Sequence, residues 1–414
     1  MAWLALLDGE LRDRAATSVE EIVASLPEPD DASLDDPSLA GGASGLAILC
    51  DALARAGLDD GENARAFLDR AIALAEERIL GGSLYSGVVG VAWAIEHLGN
   101  GGDSDANAHV DAALFDALAD WRGSYDVVSG IVGLGVYALE RLGRPSALAV
   151  LARAVSCLGA HAERNGAGVT WFTSARSIPN WQHALFPDGY YNLGLAHGVP
   201  GVMAFLAEAA RAGVDAAGPL VDGAVAWLLA QKLPLHEEAA FANWVGGEPQ
   251  RKLAWCYGEL GVAAALFHAA RCTQRDDWEA EALGVARRAA LRPPERTGVI
   301  DAGLCHGAAG VAHVFNRLFQ ATGGEELRDA ARSWYALTLD MRRPGSRYGG
   351  YVTRIARPDG GDVWTDDFGL LAGASGIALA LLAATTDVEP EWDRMLLLSE
   401  AKKARQDILP GFHD

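Results

Sequence analysis

The chain has 414 residues, half of them hydrophobic, so it can bury a large core and is not a disordered sequence. Its formal net charge is -21 and its pI about 4.8, with no block of Lys or Arg, which excludes nucleic acid as a main partner. Five widely spaced cysteines (Cys50, Cys157, Cys256, Cys272 and Cys305) do not make a disulfide framework and point to reduced thiols in a cytoplasmic protein.

The N-terminus lacks the basic start and long apolar core of a signal peptide. A helix and an acidic, Pro-containing linker over residues 1–38 lead into a repeat of about 39–398, and the chain is expected to be one domain over 1–414. The repeat is Gly-x-x-Gly before an apolar helical run. Its seven copies are Gly42/Gly45, Gly87/Gly90, Gly130/Gly133, Gly198/Gly201, Gly258/Gly261, Gly307/Gly310 and Gly373/Gly376. A more charged, amphipathic stretch lies between copies, such as Asn63 to Ile79. Each interval holds an outer amphipathic helix, a tight loop and an inner, nearly all-apolar helix. The glycines are expected to allow close helix approach and positive φ. Seven such pairs make an all-α protein, either closed into an α/α toroid with its glycine loops gathered at one end or left as an open solenoid. The uncharged run from Phe368 to Thr386 nearly reaches spanning length, but it fits the repeat and reads as a buried helix, so the protein is not integral to a membrane.

Two longer intervals carry loop material with short strands. Gly166 to Tyr191 is aromatic, and so is Tyr348 to Thr365, which includes Pro358-Asp359-Gly360-Gly361. At one end of a ring, such insertions would shape a peptide-sized groove.

When the frames are aligned on the first glycine, the position two before it is Cys256 in the fifth copy and Cys305 in the sixth. The position one before it is His197 in the fourth and His306 in the sixth, against Gly41, Ser86, Ser129, Tyr257 and Ala372 elsewhere. Cys256, Cys305 and His306 make a Cys2His set, the pattern of a catalytic zinc with one open position. An open zinc with two thiolates suits the binding and activation of a substrate thiol; metal-bound hydroxide for hydrolysis is the competing chemistry. His197 is a candidate acid/base beside it. Asp126, four before Gly130, reads on its own as an N-cap, and His268 and His313 read as structural.

The frames Asn192-Leu193-Gly194-Leu195-Ala196-His197-Gly198, Ala254-Trp255-Cys256-Tyr257-Gly258 and Leu304-Cys305-His306-Gly307 resemble the lanthionine synthetase C-like family, from Leu39 to about Leu398. The resemblance implies a toroid of seven inner and seven outer helices and one zinc held by Cys256, Cys305 and His306. It also implies zinc-dependent lanthionine and methyllanthionine ring formation, in which a peptide Cys thiolate adds to dehydroalanine or dehydrobutyrine. His197 matches the family's acid/base residue, and Asp126 and Tyr257 match further active-site positions. The family's substrate-binding Arg, four before the first Cys ligand, is replaced by Lys252, with Arg251 one further back. The resemblance further implies a stand-alone class I cyclase acting on a dehydrated precursor peptide, with a separate dehydratase and a transporter as partners. Two other readings remain: a relative adding glutathione or another small thiol to dehydrated residues, and a non-catalytic zinc-containing peptide binder. A carbohydrate-processing toroid is disfavoured, because the glycine loops offer Asp126 but no second carboxylate.

Overall fold

The computed structural model describes residues 2–99, 105–356 and 361–402; Pro358, Asp359 and Gly360 lie outside the described residues. Among these, fourteen α-helices follow in order: α1 (Gly9–Val23), α2 (Ala43–Arg55), α3 (Glu62–Glu76), α4 (Val88–Leu98), α5 (Ala108–Ala117), α6 (Ile131–Glu140), α7 (Pro145–His161), α8 (Val199–Arg211), α9 (Gly218–Leu229), α10 (Glu259–Thr273), α11 (Asp276–Ala290), α12 (Ala308–Thr322), α13 (Glu325–Asp340) and α14 (Ala374–Thr385). The even-numbered helices each follow a glycine frame and form an inner ring. Every residue of α6 and of α14 is buried. The odd-numbered helices form an outer ring and bury one stripe each. On α3 the stripe is Ala64, Phe67, Ala71 and Leu74, the spacing of one helix face. No described helix is long and apolar enough to cross a membrane.

The ring is closed. Inner neighbours touch in sequence from α2 to α14, and α14 packs back on α2. Its outer partner comes from the other end of the chain: α1 packs on α14, and the segment before it is tied there. Leu6 N and Leu7 N donate to Ala384 O at 2.8 and 2.9 Å, and Trp3 Nε1 donates to Ala383 O at 2.8 Å. The N-terminal helix is therefore the seventh outer helix.

The glycines serve close approach of backbone to backbone. At the second glycine of every frame the chain folds back over the carbonyl six residues earlier; a Cβ on Gly310 would lie 1.8 Å from Leu304 O. The same face meets the preceding frame: a Cβ on Gly90 would lie 2.9 Å from Leu39 Cβ, and one on Gly45 would lie 3.1 Å from Leu370 Cβ, across the ring's seam. The expected positive φ is found in one frame only, at Gly258 (φ 91); the other frame glycines are outside the left-handed region.

Adjacent frames are also joined by main-chain hydrogen bonds near the position two before the first glycine. Ala40 N donates to Tyr85 O, Val127 N to Ala196 O, Ala196 N to Cys256 O, Cys256 N to Cys305 O, Cys305 N to Leu371 O and Leu371 N to Ala40 O. These bonds join every neighbouring pair of frames but the second and third, and they gather the glycine loops at one end. Among the described residues, three antiparallel strand pairs lie in the insertions: β1 (Glu163–Asn165) with β2 (Gly168–Thr170), β3 (Thr173–Ser174) with β4 (Gly189–Tyr190), and β5 (Thr353–Ala356) with β6 (Asp362–Thr365). A further insertion before Cys256, which the sequence pattern did not reveal, bridges Trp244 to Asn192.

Candidate active site and metal centre

The loop bonds explain why ligands from different repeats meet. Cys256 and Cys305 occupy the same position of neighbouring frames, and the 3.3 Å bond from Cys256 N to Cys305 O sets them side by side. The donor atoms of Cys256, Cys305 and His306 all lie within 4.8 Å of one another, a spread that one tetrahedral ion can span. Cys256 is buried; Cys305 and His306 are partly exposed. The set fits a soft ion with one free position, because two thiols and an imidazole supply three ligands and no fourth protein ligand joins them among the described residues. Asp301 adds to the fit. Its buried Oδ2 has no hydrogen-bond partner and stands 3.6 Å from His306 Nε2, the arrangement of a carboxylate that orients a ligating imidazole.

The electrostatics favour charge here. The Cys305 hydrogen bond holds the Cys256 thiol well below its usual value, against burial, and His306 and Lys252 add to this. Cys256 in turn pushes the Cys305 thiol well up, helped by burial. His306 is raised by its contact with Cys256.

His197, in the next frame, is the second half of the site. Its Nδ1 lies 2.7 Å from Asp126 Oδ2. Burial lowers the imidazole's pKa, but the hydrogen bond and charge of Asp126 outweigh it, so the net shift is upward. Asp126 does not cap α6, whose N-cap is Gly130. Its Oδ1 instead accepts Ser129 N at 2.8 Å and Ser129 Oγ at 3.2 Å, which locks the carboxylate and frees Oδ2 for His197. Tyr257 lies with its ring centroid 6.1 Å from that of His197. Its hydroxyl accepts from Asn192 Nδ2 at 2.8 Å, and burial pushes the phenol well up.

The two cationic candidates separate. Arg251 is exposed and ion-paired with Glu238. Lys252 is partly buried, makes no ion pair among the described residues, and its charge reaches both cysteines. His268 and His313 lie away from this site, buried against Glu208 at 3.0 Å and Asp393 at 2.7 Å. Asn192 and Asp301 are site residues that the motif reading passed over. Both stand six residues before the first glycine of their frames, Asn192 before Gly198 and Asp301 before Gly307, and that shared position is the signal that could have found them.

The family model described as Lanthionine synthetase C-like protein matches residues 33–397. Among curated proteins, the nisin biosynthesis protein NisC of Lactococcus lactis subsp. lactis is 24% identical over 273 residues. The match takes in 58% of this chain and 63% of that relative's length. Among solved structures, nisin cyclase superposes with a TM-score of 0.73 at 18% identity, over 92% of this chain and 97% of the other, and so shares the fold.

Proposed function

Because the chain belongs to the lanthionine synthetase C-like family, we propose that it is a zinc-dependent lanthipeptide cyclase, joining peptide Cys thiols to dehydroalanine or dehydrobutyrine as thioether rings. The observation that carries this reading is the convergence of Cys256, Cys305 and His306 beside the His197–Asp126 pair. Thiol addition needs a site that makes a thiolate and a group that moves a proton, and the two stand in adjacent frames.

A zinc ion held by Cys256, Cys305 and His306 would bind the substrate thiol and lower its pKa. His197 then handles the proton. Asp126 takes the Nδ1 hydrogen, so Nε2 is the exchanging atom, and the raised pKa keeps a protonated fraction available near neutral pH. The sulfur bonds to Cβ, the π pair moves toward the carbonyl, and Cα receives a proton. The net reaction is an isomerisation that needs no oxidant. Lys252 contributes positive charge beside the thiols. The substrate is a precursor peptide dehydrated by a separate enzyme in the cytoplasm, with a transporter downstream.

The test is metal analysis of the native protein and of Cys305→Ala, with ring formation in a dehydrated Cys-containing peptide followed by thiol blocking and mass spectrometry. One zinc per chain and ring closure, both lost in the variant, are expected. Protein purified without chelator and free of zinc would overturn the ligand assignment.

A further inference from the structure

Asn192 is fully buried and stands six residues before Gly198. Its Oδ1 accepts the backbone N–H of Gly194 at 2.8 Å. A backbone N–H can only donate, so the orientation of the amide is settled. Nδ2 therefore faces two phenols and donates to both, to Tyr257 at 2.8 Å and to Tyr190 at 3.0 Å.

Counting hydrogens decides what this cluster can do. The two amide hydrogens go to the two phenol oxygens. The phenols bring two hydrogens of their own, and the amide gives neither of them an acceptor, because its oxygen faces Gly194 N and its nitrogen only donates. Tyr190 is buried, with its ring stacked on Phe186 at 4.1 Å, whereas Tyr257 is only partly buried and faces His197. Taking the cyclase reading as given, we propose that Asn192 is a positioning residue that fixes Tyr257 as a hydrogen-bond donor to the carbonyl oxygen of the dehydrated residue. As the sulfur bonds to Cβ, the Cα=Cβ electron pair moves onto that oxygen. Tyr257 O–H stabilises the charge without giving up its proton, and Cα is protonated through His197.

Asn192→Asp tests the polarity without changing the volume. The carboxylate still accepts Gly194 N, but its other oxygen now accepts from both phenols and turns both hydrogens inward. The expected result is a loss in kcat of about 10²-fold, with KM little changed. Tyr257→Phe should match it, and the double variant should be no worse than either single one, because both remove the same donor. Native kcat in Asn192→Asp, or losses that multiply in the double variant, would overturn the proposal. A second readout needs no turnover. The tyrosine ring doublet in the Raman difference between native protein and Tyr257→Phe reports whether this phenol accepts or donates within the cluster. Acceptor character in the native chain and donor character in Asn192→Asp are expected; donor character in both would sink the assignment. Absence of turnover in the zinc-loaded native protein would count against the cyclase reading, while the Raman doublet still decides the polarity at Tyr257.

Discussion

Replacing Asp126 by Asn changes one atom and should remove most of the activity. In the native chain Asp126 Oδ2 accepts the Nδ1 hydrogen of His197 at 2.7 Å, while Oδ1 is held by Ser129 N and Oγ. The Asn oxygen stays with Ser129 N, since a backbone N–H requires an acceptor there. The new NH2 then faces His197 and donates to Nδ1, which moves the imidazole hydrogen to Nε2. The neutral ring can no longer take a proton at the atom that faces the substrate. Positioned acid/base groups contribute about 10²–10⁴ in rate, so kcat should fall by that factor, equivalent to roughly 3–5 kcal/mol of barrier. The effect on stability is much smaller. A charge-assisted bond is worth about 1.5–3 kcal/mol, but the His197 side chain is 39% exposed and screened, which leaves about 1 kcal/mol. The assay is single-turnover ring closure on a dehydrated peptide, with zinc content and thermal melting measured on the same sample. Activity within about threefold of native, with zinc retained, would refute the assignment of His197 as the proton-transfer group.

Two further outcomes follow from the charges. Lys252→Met should cost about tenfold in activity, roughly 1.4 kcal/mol, whereas Arg251→Ala, which loses only its exposed pair with Glu238, should stay within about threefold; steady-state kinetics decide, and the reverse order would reassign the cation. Acid should unfold the chain through Glu140 and Glu208. Burial works to raise both, but His97 and Arg394 hold Glu140 down to about 2, and His268 and Arg211 hold Glu208 down to about 2. Folded values below the ordinary Glu value mean that this stabilisation is complete above pH of about 4.5 and is lost as pH falls toward 2, at up to about 1.4 kcal/mol per unit for each group. Urea melts at stepped pH should show the loss, with a shallower slope in Glu208→Gln; a flat profile between pH 5 and 3 would contradict it.

The repeat and its chemistry were legible because both are written locally. A chain that folds back over its own carbonyl six residues away accepts glycine at the contact, so each frame prints two glycines whatever its neighbours are. Cys256 and Cys305 sit at one position of consecutive frames, so ring geometry alone brings them together. What stayed hidden depends on distance in sequence or on side-chain direction. The buried face of α1 (Ala15, Ser18, Val19 and Ile22) is that of any amphipathic helix, and nothing in it names α14 as its partner. Choosing between Arg251 and Lys252 required knowing which of two adjacent residues points inward, and spacing does not carry that. The expectation of positive φ at the frames held only at Gly258, since extended backbone crowded by a carbonyl demands glycine just as firmly.

The geometry of the candidate metal site also depends on residues outside the glycine frames. Seven inner helices cannot fill their own axis with the small residues that let them approach. The space is closed by the segment after α14, a 3-10 turn at Glu391–Leu396. This plug is fastened by charge: Asp393 bonds His313 at 2.7 Å and Arg317 at 2.6 and 2.8 Å, and Arg394 bonds Glu140 at 2.9 Å. It then reaches up the axis. Tyr85 donates to Met395 O at 2.7 Å and Trp255 Nε1 to Leu396 O at 2.9 Å. Trp255 directly precedes Cys256, so the buried ion pairs at the floor and the thiol at the mouth share one rigid support. A metal site on loops needs such backing, because loops alone do not hold ligands to the tolerance that coordination requires. Here the loop bonds fix the candidate ligands laterally, and the plug fixes the residue beside the first of them from below.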